Sequence, residues 1–192
     1  MQPGQLKELA MDNDFHIPRV GAKVLDLCGG HGYRLWQFAS IFKNSTLVLL
    51  DANPTNILHA MELFAQKTSY LHWNNQIEIK LCDARLGFGG IPYPDQTFDL
   101  ITMLGHSDAG MDNETFELIL TEAIRVIRHV DGIFVVDSPV GWRFMSVFKQ
   151  LSHKWRIRIG TCRPPYFDPL VHFIFMFSKD EQENLPKLTT SL

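Results

Sequence analysis

The chain has 192 residues, 45% of them hydrophobic, which suits a single domain with a substantial core. Its 18 lysines and arginines against 21 acids leave a net charge of -3, so the chain as a whole carries no polyanion-binding signature. No apolar run approaches the roughly 18 residues of a spanning helix, and Met1-Gln2-Pro3-Gly4-Gln5 lacks the basic-then-apolar layout of a secretory signal.

Three cysteines, Cys28, Cys82 and Cys162, cannot frame a disulfide scaffold, and none forms a CxxC pair of the kind that binds zinc. A reducing cytoplasm is the expected compartment. No internal repeat or low-complexity block interrupts the sequence, so residues 1–192 read as one domain with a core over about 20–178.

After a polar lead, strand and helix patterns alternate. Val24 to Cys28 is predicted as the first strand and Arg34 to Phe42 as the first helix. Leu47-Val48-Leu49-Leu50 is a continuous apolar run ending at Asp51, as a strand covered on both faces should be. Asn53 offers an N-cap and Pro54 suits the first turn of a helix that places Ile57, Met61 and Phe64 on one face. Ile77 to Cys82 alternates and reads as an outer strand before Asp83, and Phe98 to Leu104 as a further buried strand.

Asp112 or Asn113 caps the clearest helix, with an apolar stripe of Phe116, Ile119, Leu120, Ala123, Ile124 and Ile127. Ile133 to Val136 is the next strand, stopping at Asp137, and a helix near Trp142 to Ser152 follows. Trp155 to Thr161 and His172 to Ser178 close the fold as an antiparallel pair, and the polar tail 180–192 is expected to fray. The expected class is α/β: a Rossmann-like, seven-stranded, mostly parallel sheet with helices on both faces and a C-terminal antiparallel hairpin.

The most informative segment is Val24-Leu25-Asp26-Leu27-Cys28-Gly29-Gly30-His31-Gly32. A carboxylate inside an apolar strand is costly to bury unless a partner or a ligand claims it. The glycines beyond it let the backbone approach a ligand and adopt positive φ. Together they predict a nucleotide-like cofactor at the carboxyl end of the first strand.

That order of elements, with acids at the ends of the first three strands and a closing hairpin, resembles the class I S-adenosylmethionine (SAM) dependent methyltransferases, closest to the type 11 group. The family's first motif is acid-x-Gly-x-Gly-x-Gly; Asp26, Gly30 and Gly32 match it, Cys28 replaces the first glycine and Gly29 fills the next variable position. Asp51, with Ala52 after it, matches the acid that binds the ribose hydroxyls. Asp83, followed by Ala84, matches the acid beside the adenine. Ile91-Pro92-Tyr93-Pro94-Asp95-Gln96-Thr97-Phe98-Asp99 resembles the lead-in to the fourth strand in the type 11 group, and Leu104 completes the cofactor-side positions. The resemblance implies SAM as cofactor and S-adenosyl-L-homocysteine as product. It also implies that backbone N–H groups around Gly30 hold the methionine carboxylate, aided by the positive end of the helix after it.

A nicotinamide dehydrogenase is the rival within this architecture, but its fingerprint needs a third glycine where Leu35 stands. A metal site at Asp108 and Asp137 would resemble catechol methyltransferases, yet Ser138 occupies the place of their asparagine, so no metal is expected. Pro164-Pro165-Tyr166 stands too late in the chain to match amino-methylating nucleic-acid enzymes and reads as a turn. Arg143, Lys149, Lys154, Arg156, Arg158 and Arg163 form a basic stretch without an acid from Ser138 to Phe167. An outer helix face and a protected sheet edge explain it better than nucleic-acid binding.

Methyl transfer chiefly requires alignment, with a general base only where the acceptor loses a proton. His106 is the candidate base, since imidazole titrates near neutrality, with Ser107, Asp108, Asp137, Ser138 and Trp142 on the neighbouring loops. The expected activity is methyl transfer from SAM to a small molecule, with no membrane partner. A short lead before the first strand points to an open site, suited to a cap from another subunit or to a bulky acceptor such as a protein or tRNA. Other readings share the same crevice: a non-catalytic SAM-binding subunit, or an enzyme using SAM alone in hydrolysis or cyclisation.

Overall fold

The computed structural model describes residues 20–66, 74–103, 111–129, 132–137, 157–162 and 172–177. Its strands are β1 (Lys23–Leu27), β2 (Thr46–Asp51), β3 (Gln76–Leu81), β4 (Leu100–Met103), β5 (Ile133–Asp137), β6 (Ile157–Cys162) and β7 (His172–Phe177). Three helices accompany them: α1 (Tyr33–Phe38), α2 (Pro54–Gln66) and α3 (Asn113–Val126). The strands form one sheet in the order β3-β2-β1-β4-β5-β7-β6. β1 to β5 run parallel, whereas β7 pairs antiparallel with both β5 and β6. The expected class, including the closing hairpin, is the one observed.

Strand pleating divides the interior in two. Leu25, Leu27, Val48, Leu50, Ile101 and Phe134 point to one face and meet the stripe of α3. Val24, Leu47, Leu49, Leu100 and Val135 point to the other and pack on Leu35 and Phe38 of α1 and Ile57, Ala60 and Phe64 of α2. Both faces of β1, β2, β4 and β5 are covered, which is why these strands read as unbroken apolar runs. β3, the alternating strand, lies at the edge as expected.

Helix starts follow local chemistry. Asn53 Oδ1 accepts from Thr55 N at 2.9 Å ahead of α2, and Asp112 Oδ1 accepts from Thr115 N at 2.7 Å to cap α3. Every residue predicted for the α3 stripe is buried. In α2 the expected face needs correction: Met61 is 54% exposed, and Ala60 and Leu63 join Ile57 and Phe64 beneath it. Those four recur at helical spacing, which leaves Met61 one step round toward solvent.

Several strand ends shift by a residue, and three boundaries differ for a visible local reason. β1 stops at Leu27, because Cys28 turns into a left-handed conformation with φ 54°. α1 ends at Phe38 rather than Phe42, since Ser40 N and Ile41 N each bond back three residues and tighten the chain. Phe98 lies outside β4 and bridges Ile127 instead, while Asp99 Oδ2 accepts from Lys23 N at 2.8 Å. The helix predicted near Trp142 to Ser152 and the polar tail lie outside the described residues.

The strand order sets the position of the site. From β1 the chain steps outward to β2 and β3, then crosses back to β4 on the other side of β1. The carboxyl ends of β1 and β4 therefore flank the switch in direction, where open α/β sheets hold their ligands.

Candidate functional site

The turn after β1 is shaped by three left-handed residues: Cys28 at φ 54°, Gly30 at φ 57° and Gly32 at φ 81°. Cys28 thus keeps the backbone conformation of a glycine while carrying a Cβ, a strain of roughly 1–2 kcal/mol. Gly29 has a steric role instead. A Cβ there would stand 2.8 Å from Leu49 Cγ and 2.9 Å from Asp26 Oδ2. A Cβ on Gly30 would meet nothing within 4 Å, so the turn presents open backbone at that point.

Asp26 lies under this turn, fully buried on β1. Its Oδ1 accepts from Thr102 Oγ1 of β4 at 2.9 Å, across the pair of strands that flank the switch. Its Oδ2 is, among the described residues, the buried side-chain polar atom with no hydrogen-bond partner. Burial pushes the carboxyl up to about 6, against the opposing influence of Arg34 and the Thr102 hydrogen bond.

Asp51 ends β2 and ties the turn in place. Its Oδ2 accepts from Gly30 N at 2.9 Å, and its Oδ1 from Asn53 N at 2.8 Å and Asn56 Nδ2 at 3.1 Å. One carboxylate therefore joins the glycine turn to the start of α2. Asp83 follows β3 one strand further out, where Asp51 pairs in register with Leu81. Its Oδ1 accepts from Arg85 N at 3.2 Å and Nε at 2.9 Å, and its Oδ2 from Nε at 3.1 Å and Nη2 at 2.5 Å. These bonds hold the Asp83 carboxyl below the usual carboxylate range.

Asp26, Asp51 and Asp83 face one thiol. Burial first, then the charges of Asp51, Asp26 and Asp83, push Cys28 up to about 12, so it stays protonated at neutral pH. The three acids thus all act on the turn that follows β1. Ala84 is buried in the α3-side core, while Ala52 is exposed beside Asp51.

The reacting side is less visible. Leu104, His106, Ser107, Asp108, Ser138 and Trp142 lie outside the described residues, and Asp137 ends β5. Among the described residues no group of three or more His, Cys, Asp or Glu side chains converges as a metal site.

Sequence reasoning missed the partners of the acids. Thr102 carried a signal, as the polar residue of an otherwise apolar buried strand. Asn53 and Asn56 stand two and five residues after Asp51, within reach of an acid that ends a strand ahead of a helix. Arg85, two residues after Asp83, gave none beyond adjacency.

A half-satisfied buried carboxylate under an open glycine turn, with two further acids after the neighbouring strands, suits a ligand bearing both a cationic centre and a carboxylate. No curated protein matches the chain in sequence. Among solved structures it is similar to a SAM-dependent methyltransferase of Aquifex aeolicus, 17% identical with a TM-score of 0.62, over 92% of this chain and 99% of that one. It is similar also to the YcgJ protein of Bacillus subtilis, 14% identical with a TM-score of 0.60, over 93% and 98% of the two chains. A third, precorrin-6y C5,15-methyltransferase of Geobacter metallireducens, is 14% identical with a TM-score of 0.56, over 84% and 82%. At such identities the likeness is one of fold. The methyltransferase domain family itself matches residues 24–130, more than half of the chain, from β1 to just beyond α3. With that match added to the acid-lined turn, the chain belongs to the methyltransferase domain family of class I SAM-dependent enzymes, and its cofactor is S-adenosyl-L-methionine.

Proposed function

We propose that this protein transfers the methyl group of SAM to a small-molecule acceptor, with cofactor recognition spread over the ends of β1, β2 and β3. When bound, SAM supplies an electrophilic methyl carbon on a sulfonium. In this reading the Gly29 to Gly32 turn receives the methionine carboxylate, with the Gly30 N–H turning to it from Asp51 Oδ2, and Asp26 meets the ligand's cationic side directly or through water. Asp51 receives the ribose hydroxyls, flanked by Ala52. The base lies beyond it, next to Asp83 and Ala84, and Leu104 is proposed as a further cofactor-binding residue. The observation that carries the reading is the orphaned, buried Asp26 Oδ2 beneath a turn that is open at Gly30. A buried polar oxygen without a partner calls for an explanation, and a bound ligand supplies one.

His106 follows β4 in the chain and is proposed as the base for acceptors that lose a proton on methylation. Free thiols at Cys28 and Cys82 are in keeping with a reducing cytoplasm.

Calorimetric titration with SAM and S-adenosylhomocysteine tests the cofactor assignments. Asp51→Ala should weaken both by at least about tenfold, since a charge-assisted contact contributes about 1.5–3 kcal/mol. Unchanged affinity would remove Asp51 from the site. Incubating cell extract with methyl-labelled SAM then locates the acceptor: label in the small-molecule fraction supports the proposal, and label in RNA or protein overturns it. His106→Ala should lower turnover and leave SAM affinity intact; loss of SAM binding would refute the role as base.

A further inference from the structure

We infer that Arg85 determines how sharply the crevice reads the base of its cofactor: paired with Asp83, it withholds that carboxylate from the exocyclic amine of adenine. The inference rests on the reading above, in which the base lies beside Asp83. A carboxylate offers about four lone-pair sites. Arg85 makes four contacts with Asp83, two on each oxygen, through its backbone N–H, Nε and Nη2. Three N–H groups, with Nε–H shared between both oxygens, thus take up most of what the carboxylate could offer a ligand amine while the pair persists.

The guanidinium is also held from behind. Its Cζ stands 4.0 Å from the centroid of the Phe88 ring, in cation–π contact. Phe88 N donates to Arg85 O at 3.0 Å, closing a turn with Gly87 at φ 87° and Gly89 at φ 120° on either side of Phe88. Phe88 is 59% exposed, so the ring is spent on the arginine rather than on the core. The ring thereby backs the fork of Arg85 in the orientation that spans both oxygens of Asp83.

The chemical consequence concerns selectivity. A bare carboxylate accepts from the 6-amino group of adenine and repels the 6-oxo group of hypoxanthine. An Arg–Asp pair is neutral overall and shows the base spare N–H donors of the guanidinium, which accept no proton from an amine but donate readily to an oxo group. The wild-type protein therefore discriminates weakly between adenosyl and inosyl ligands, and freeing Asp83 sharpens the choice.

The test is calorimetric titration of the full chain with S-adenosylhomocysteine and S-inosylhomocysteine. Wild type should prefer the adenosyl ligand by less than about threefold, and Arg85→Ala by about tenfold or more, as a freed charge-assisted contact allows. Arg85→Lys should fall between them, because an ammonium cannot fork across both oxygens. Adding Asp83→Asn to Arg85→Ala should abolish the gain, and circular dichroism verifies that each variant is folded. A wild-type preference of about tenfold or more, an unchanged ratio in Arg85→Ala, or loss of both ligands by a folded Arg85→Ala protein would overturn the inference. Failure of wild type to bind either ligand would instead reject the crevice reading, and this inference with it.

Discussion

Asp26 shows how a single residue can weaken the fold while preparing the site. Its carboxyl is raised to about 6 by burial, so between its ordinary pKa and that value the native state holds a proton that the unfolded chain has released. The contribution of this group to stability is then greatest at low pH, falls as pH rises through the window and stays lower above it. Asp26→Asn keeps an acceptor for Thr102 and removes the ionisation. Its stability relative to wild type should grow by about 1–2 kcal/mol from pH 5 to pH 8, read from denaturant midpoints at each pH. The same variant should bind SAM more weakly; a flat pH dependence would show that Asp26 is not the raised group. The sequence displayed the acid but not its state. An acid within an apolar strand was legible in Val24 to Leu27, whereas one satisfied oxygen and one orphan depend on Thr102, 76 residues away.

At the scale of elements, one device shapes the glycine turn and a second holds the lead-in to β4. Gly29 lets the turn pass over β2 with Leu49 and Asp26 directly beneath it. Gly29→Ala must displace one of them and should cost about 1–3 kcal/mol, measured as a lower midpoint in urea. The second device is Arg125 of α3, whose Nη2 donates to Ile91 O at 2.7 Å and whose Nη1 donates to Tyr93 O at 2.8 Å and Asp95 Oδ1 at 2.9 Å. The same guanidinium pairs with Glu122, whose buried Oε2 accepts from Ile91 N at 2.8 Å. This pairing draws the Glu122 carboxyl below its usual range. The Pro-Tyr-Pro-Asp lead-in is thus stapled to α3 by main-chain bonds that its motif did not disclose. Arg125→Ala should cost about 2 kcal/mol or more in the same assay, because it leaves Glu122 buried without its cation. A loss under about 0.5 kcal/mol would mean that solvent replaces the arginine at the half-exposed end.

For the whole molecule, the decisive property is that parallel strands deliver their carboxyl ends to one side of the sheet. Three acids spread over 58 positions of sequence, from Asp26 to Asp83, thereby stand at or beside the carboxyl ends of neighbouring strands. A ligand that binds only this assembled state must stabilise it. S-adenosylhomocysteine at 100 times its Kd should raise stability by about 2.7 kcal/mol, seen as a higher melting temperature, whereas NADH should leave it unchanged. A shift with NADH and none with the adenosyl ligand would contradict the assignment of the crevice.

Sequence alone determined the alternation of elements, because hydrophobic period and turn residues act locally. It also determined the outer place of β3, the cap at Asn53 and the choice of Asp112 or Asn113 as the next, which the fold settles on Asp112. The acids at strand ends were visible for the same reason, as charges interrupting apolar runs. What each acid does was decided by the tertiary structure. Asp51 spends its oxygens on Gly30, Asn53 and Asn56, Asp83 is filled by Arg85, and Asp26 keeps one oxygen free. Hydrogen-bond saturation depends on which donors the folded backbone brings within 3 Å or so of an oxygen, and no local pattern encodes that distance.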